Sequence, residues 1–314
     1  MKKLFLLNFY ILLASQIFAQ EKTTYYIKEQ NRPVSNLDSA DYIRTIANYK
    51  NNEGLYDVFE YYKDNSKKRI GNSLKNTFSP EYSGNVLSYY KNGNKQSVEN
   101  YTKGKKNGIS NYFYQNGNLK KKIEFSVNEK KEEVELMIQI ADSLGKNFLD
   151  ETSSGRFKII DGNNEIEGEY LNGNKNGVFK THDFNLNEDY LDEYKNGEYI
   201  KGKTTDSSGK EIEYNKLFVL PTFKGGLQAF GKFLSKNLEY PDISRRNKTQ
   251  GRVYLSFVVE KDGSLSEIKV LKGVSSEIDT EALRVLNISP NWTSGTYRSK
   301  PIRVSYTLPI SFQL

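Results

Sequence analysis

Residues 251–270 read GRVYLSFVVEKDGSLSEIKV, and their pattern decides the fold of the C-terminal third. Val253, Leu255, Phe257 and Val259 recur at a period of two, which places them on one buried face of a strand. Asp262-Gly263 supplies a tight turn, and Ser264 to Val270 returns, so the stretch predicts an antiparallel hairpin. Upstream, Gly225-Gly226 precedes Leu227, Phe230, Leu234 and Leu238, spaced on one helical face and stopped by Tyr240-Pro241. Downstream, Ser276-Glu-Ile-Asp279 resembles a capping box, and Ile278, Ala282, Val285 and Leu286 form the apolar face of a second helix. Trp292 follows in a loop. The chain then ends in RVSYTLPISFQL, where Ile302, Val304, Tyr306, Leu308, Ile310 and Phe312 alternate with Arg303, Ser305, Thr307, Pro309, Ser311 and Gln313. Pro309 has no N–H for a ladder, so this last strand belongs at a sheet edge or a bulge. The order α-β-β-α-β predicts an α+β domain with two helices on a small antiparallel sheet.

Five phrases in this segment carry a family resemblance: PTFKGGLQAFGKFLSKNLEYP (221–241), GRVYLSFVVEKDGSLSEIKVLKGV (251–274), EALRVL (281–286), PNWTSG (290–295) and KPIRVSYTLPISF (300–312). In order and spacing they resemble the C-terminal domain of TonB energy transducers, in the form common in Bacteroidetes. The resemblance implies a periplasmic domain that takes the TonB box of an outer-membrane transporter as an added strand, where backbone bonds give affinity and alternate side chains give selectivity. The partner-binding residues it implies are Tyr240, Pro241, Arg303, Ser305, Tyr306, Thr307, Pro309 and Ser311, with Arg303, Ser305 and Thr307 on the open side. Gly225, Gly226, Gly263 and Trp292 are expected to be structural. A homodimer through the same edge is a second possible use of it. Two positions depart from the family pattern: Trp292-Thr293-Ser294 stands for Trp-x-Pro, and Ser244 stands where alanine is usual.

Between residues 71 and 215 the grammar is different. Gly84 to Asn94 aligns with Gly108 to Asn118, and Tyr101 to Gly108 aligns with Tyr170 to Gly177. Asn-Gly pairs beginning at Asn92, Asn107, Asn116, Asn176 and Asn196 predict two-residue hairpin turns between short aromatic strands. This phrase structure resembles MORN-type repeats, mainly β, in which Tyr89, Tyr90, Tyr112 and Tyr114 form a stacked aromatic ladder. Val134, Met137, Ala141 and Leu144 predict a helical insert near 130–148. In the region 20–70, Asp41 to Lys50 reads as a helix, Leu55 to Tyr62 as a strand, and Tyr61 to Asn65 as a worn copy of Tyr89 to Gly93. The domains expected are therefore 20–70, repeats over 71–215, and 216–314.

Lys2-Lys3, the apolar run from Leu4 and the small-residue end at Ala19 predict a signal peptide over 1–19, cleaved between Ala19 and Gln20. That places the chain in the periplasm; if uncleaved, the same run makes an inner-membrane anchor. The chain has no cysteine, which excludes a lipobox anchor, a disulfide framework and thiolate chemistry. The formal charge is +7, and residues 221–314 hold 14 Lys/Arg against 8 Asp/Glu. Arg245, Arg246, Lys248 and Arg252 lack interleaved aromatics, so no nucleic-acid partner is expected. His182 is the single histidine, beside Asp183, and reads as a turn pair. Asp161-Gly-Asn-Asn-Glu165 lacks the alternating ligands of a calcium loop. No enzyme, metal or cofactor is expected. The leading reading is a periplasmic interaction protein that captures a partner strand. The alternatives are a membrane-anchored TonB energy transducer for nutrient uptake and a structural repeat protein that binds the envelope or peptidoglycan.

Overall fold

The computed structural model describes residues 22–28, 31–129 and 133–314, and the chain divides into two compact units after Ser153. The expected signal segment, with Ala19 and Gln20, lies outside the described residues. No helix among those described is long and apolar enough to cross a membrane.

The first unit is an antiparallel sheet of eleven strands: β1 (Lys22–Lys28), β2 (Arg32–Val34), β3 (Tyr42–Lys50), β4 (Tyr56–Tyr62), β5 (Lys67–Ser73), β6 (Gly84–Tyr89), β7 (Lys95–Thr102), β8 (Lys105–Lys106), β9 (Gly108–Phe113), β10 (Leu119–Val127) and β11 (Glu133–Ile140). Their order is β11-β10-β9-β7-β6-β5-β4-β3-β1-β2, with β8 on β7. The region 20–70 thus belongs to the same sheet as the strands after it. One turn recurs: the amides of Tyr62, Tyr90 and Tyr114 donate to the carbonyls of Ser66, Asn94 and Asn118. Each of these tyrosines also donates its hydroxyl to a carbonyl one hairpin on, Tyr62 to Tyr89 at 2.9 Å, Tyr90 to Phe113 at 2.7 Å and Tyr114 to Ala141 at 2.9 Å. The tyrosines therefore fasten neighbouring hairpins as well as packing within them.

Two expected helices are strands. Residues 42–50 form β3, whose central residues Arg44, Ile46 and Ala47 are buried between β1 and β4. The expected insert near 130–148 is β11 and the loop after it, with Leu144 89% exposed. Val134, Leu136, Ile138 and Ile140 also alternate, and a bulge in β11, with Ile138 as the extra residue against the Lys122–Ile123 step of β10, brings Met137 opposite Ile123. The bulge shifts the phase of β11, and that shift imitates helical spacing. The Asn-Gly turns need correction too. Only Asn196-Gly197 among the expected pairs has both residues at positive φ, 50° and 86°; at Asn92, Asn107, Asn116 and Asn176 only the glycine does. Gly93 and Gly117 close longer loops, while two-residue turns also form at Lys103-Gly104 and Asn172-Gly173.

The second unit begins with a six-stranded meander, β12 (Gly155–Asp161), β13 (Asn164–Leu171), β14 (Asn174–Asp183), β15 (Glu188–Lys195), β16 (Glu198–Thr205) and β17 (Glu211–Tyr214). One face is an aromatic ladder of Phe157, Tyr170, Phe179, Tyr194, Tyr199 and Tyr214, with ring centroids 5.3–6.3 Å apart. Gly168 makes room for it, because a Cβ there would lie 2.7 Å from the Phe179 ring. His182 Nδ1 lies 2.9 Å from Asp189 across the β14–β15 pair, while Asp183, the expected partner, accepts the Asn185 amide of its own turn.

After β18 (Phe218–Val219) come α1 (Gly226–Asn237), α2 (Asp242–Arg246), β19 (Gly251–Val259), β20 (Leu265–Lys272), α3 (Ser276–Asn287), β21 (Gly295–Tyr297), β22 (Lys300–Ile302) and β23 (Val304–Phe312). Two three-stranded sheets form, in orders β18-β21-β22 and β20-β19-β23. The expected α-β-β-α-β order is present, with α2 and the small β18-β21-β22 sheet added to it. Phe230, Val253, Leu255, Phe257, Val259, Ile278, Ala282, Leu286, Trp292, Ile310 and Phe312 make one buried cluster. Leu227, assigned to the apolar face of α1, is 84% exposed instead, because the first turn of α1 lies beyond the core. The second helix is capped by Ser275, whose hydroxyl accepts from the Ile278 amide, one residue before the expected cap. Asp279 reaches back to the Val274 amide at 2.9 Å.

Candidate functional site: the open edge of the C-terminal sheet

β23 pairs with β19 in an uninterrupted antiparallel register from Gly251↔Phe312 to Val259↔Val304. Nothing among the described strands pairs with its other side. The alternation has the expected faces: Ile310 and Phe312 are buried, Val304, Tyr306 and Leu308 half-buried, and Ser305, Thr307, Pro309 and Ser311 exposed. Pro309 stands opposite Tyr254 in that register. A residue without an N–H keeps the ladder intact only where its nitrogen points away from β19. Backbone polar groups alternate sides along a strand, so the N–H groups of Ser305, Thr307 and Ser311 share that outward direction.

The remaining expected residues divide by what they touch. Tyr306 turns inward, its ring 5.7 Å from those of Phe257 and Trp292. Tyr240 packs its ring on Phe312 at 5.9 Å and donates its hydroxyl to Thr249 at 2.5 Å, which sets Tyr240-Pro241 beside the end of the strand. Pro241 is the N-cap of α2. Ser311 accepts from Arg252 at 3.2 Å. Arg303 is tied back across the sheet, its guanidinium 3.0 Å from both Glu260 oxygens and 2.5 Å from Glu267. Hydrogen bonds from Ser266 and Arg303 hold the Glu260 carboxyl below its usual range. Arg303 therefore anchors the start of the edge strand.

The expected structural residues meet at one place. Trp292 is buried against Phe223, Phe230, Phe257 and Tyr306, and its indole N–H donates to Ser289 at 3.1 Å. Its backbone N–H donates to Gly263 at 2.8 Å. Gly263 has φ +82°, and a side chain there would collide with the Trp292 carbonyl. The hairpin turn and the tryptophan loop thus require each other. Gly225 and Gly226, at φ 90° and 76°, turn the chain into α1.

One element had no sequence signal. The β21–β22 turn consists of Arg298 and Ser299 at φ 51° and 61°, a left-handed pair without glycine or asparagine. Arg298 reaches the six-stranded sheet, donating to buried Asp192 at 2.5 Å and lying 4.6 Å over the Tyr190 ring. Asp192 also accepts from Tyr214 at 2.8 Å, which with burial pushes that phenol upward. Lys300 pairs with Glu188 beside it. These bonds hold the meander against the arm that leads directly into β23.

With this geometry described, similarity to known proteins becomes informative. Residues 236–314 match the family model described as the Gram-negative bacterial TonB protein C-terminal. This segment is similar to a TonB C-terminal domain. Two solution structures of the Helicobacter pylori TonB C-terminal domain resemble the chain, at 26% and 25% identity. They cover 28% of this chain and 79% and 91% of their own, with TM-scores of 0.23 and 0.22. No match was found among the curated proteins. The family match stops at residue 236 and does not extend to the repeat sheets.

Proposed function

We propose that this protein is an exported, periplasmic adaptor whose TonB-like domain captures an extended segment of a partner as a new strand along β23. The partner is an outer-membrane transporter presenting a TonB box, or another envelope protein with an equivalent segment. The observation that carries this reading is the one-sided pairing of β23, with Pro309 at an outward position and the small polar residues Ser305, Thr307 and Ser311 along the exposed face. An added strand bonds through its backbone, so the edge selects for extended conformation first and for side chains second. Pro309 deletes one outward donor, which leaves its surroundings less able to pair with a second copy of the same strand. The role is binding rather than catalysis. The repeat sheets act as a MORN-like platform joined to the TonB-like domain.

The test is a titration of the full chain with peptides copied from the N-terminal segments of transporters of the same cell. Thr307→Pro removes an outward N–H while leaving the β19 ladder intact, and is expected to weaken binding about tenfold or more. If no peptide binds, or if T307P binds as well as the parent, the reading fails. The intact mass of the native protein separates a cleaved adaptor from an anchored transducer: a mature chain beginning at Gln20 supports the adaptor.

A further inference from the structure

The first sheet carries a charge cluster that its own architecture does not need. In register across β3, β4 and β5 stand Arg44, Glu60 and Arg69, with Lys68 next to the last. Glu60 is fully buried. Arg44 engages its Oε1 at 2.6 and 2.8 Å and spends its other nitrogens on Asn31 and the Phe78 carbonyl. The second oxygen faces Lys68 at 3.5 Å and Arg69 at 3.7 Å, both too long for strong bonds. Three cations thus converge on one carboxylate, an excess of two positive charges within the cluster, with Lys68 and Arg69 still 25% and 33% exposed.

The next hairpins show what the fold itself requires. The cross-strand pair Glu60–Arg69 corresponds to Ser88–Ser97 in the second hairpin and Tyr112–Lys121 in the third, all beside the same turn. Ser88 and Ser97 fill the position with hydroxyls, Ser88 accepting from Arg69 at 3.2 Å and Ser97 donating to Glu99 at 3.3 Å. A buried ionic cluster is not in general more stable than such a replacement, so stability does not account for it.

The cluster opens on a cavity of about 810 Å³ lined by Tyr42, Tyr62, Lys63, Lys68, Arg69 and Lys91, with Asp41 and Asp64 at its exposed rim. Lys68 Nζ lies 4.0 Å over the Tyr42 ring and Lys91 Nζ 5.6 Å from that of Tyr62. Asp64 is committed to its own turn through Ser66. Burial pushes the Lys68 ammonium below its usual range, against the pull of Glu60.

We propose that this cavity binds a phosphate monoester, a dianion that matches the excess of two charges. Arg69 supplies its terminal guanidinium N–H groups, its Nε being bonded to Ser88, Lys68 supplies a point charge, and Lys91 stands at the mouth. The proposal is independent of strand capture at β23, since it lies in the other unit. The test is calorimetric titration of the full chain with inorganic phosphate and glycerol phosphate, and co-flotation with phosphatidylcholine vesicles with and without phosphatidic acid. Saturable binding of the soluble ester assigns a soluble ligand; binding only to the phosphatidic acid vesicles assigns a lipid headgroup. Either should weaken about tenfold or more in Arg69→Gln and in the exposed-rim variant Lys91→Gln, and stay unchanged in Lys203→Gln of the other unit. Binding to neither probe, or binding by Lys91→Gln and Arg69→Gln as tight as the parent's, overturns it.

Discussion

The repeat sheets and the C-terminal sheet solve the strand problem in opposite ways. In the eleven-stranded sheet the hydroxyls of Tyr62, Tyr90 and Tyr114 reach carbonyls 23 or 27 residues away, so three hairpins are fastened to their neighbours by bonds that a short phrase encodes. The C-terminal sheet has three strands, its core shared with α1 and α3 and its last strand unpaired on one side. The repeat sheets end in β11 and β2 and in β12 and β17, as the C-terminal sheet ends in β20 and β23. What sets β23 apart is Pro309 at an outward position with small polar residues beside it.

Substitutions can break this comparison at either side. The largest effect is expected in the C-terminal core: Phe257→Ala removes a ring that touches both Trp292 and Tyr306, at a cost of about 3–5 kcal/mol. Thermal unfolding followed by Trp292 fluorescence should show this domain melting early while strand signal from the first unit persists. A single cooperative loss of both would merge the two regions that we separate.

Next comes the junction between the meander and the β21–β22 arm. Asp192→Asn leaves Arg298 buried without its counter-charge, and about 3 kcal/mol or more is expected to be lost. Pairing it with Arg298→Met should recover much of that loss. Chemical denaturation of the three variants reads the coupling, and additive losses would show that the two side chains act separately.

Within the repeats, Tyr90→Phe deletes one inter-hairpin bond, an expected cost of about 1 kcal/mol. Hydrogen exchange should rise locally around Phe113 and leave the C-terminal domain unchanged. Global unfolding would mean that the hydroxyl does more than fasten two hairpins.

The smallest effect is that of acid. Glu260 is held below the ordinary glutamate range by Ser266 and Arg303. A depressed folded value means that its contribution is full above the ordinary value and is lost as pH falls from there through the folded one. The melting temperature of the C-terminal domain should therefore drop below about pH 4.5 more steeply in the parent than in Glu260→Gln. Parallel curves would remove Glu260 from the account.

What could be read from the sequence follows the same division. Val253, Leu255, Phe257 and Val259 announced their buried face because the period of two needs no partner to be visible. Pro309 placed its strand at an edge because a missing donor has only one tolerable direction. The fate of Arg303 could not be read, since Glu260 and Glu267 stand 43 and 36 residues away and meet it only across the folded sheet. Leu227 shows the converse limit, for spacing gives the face of a helix and not where the core ends. The strand at 133–140 was hidden by a bulge within it at Ile138, which breaks the period of two along the segment. The Arg298-Ser299 turn carried no glycine signal, because contacts with Asp192 and Tyr190 hold it.

The most direct measurement of the central claim is amide hydrogen exchange of the full chain with and without a transporter peptide, resolved residue by residue along β23. Strand capture predicts new protection at Ser305, Thr307 and Ser311, with Val304, Tyr306 and Leu308 already protected by β19. Peptide binding that leaves those three amides exchanging as before would contradict it.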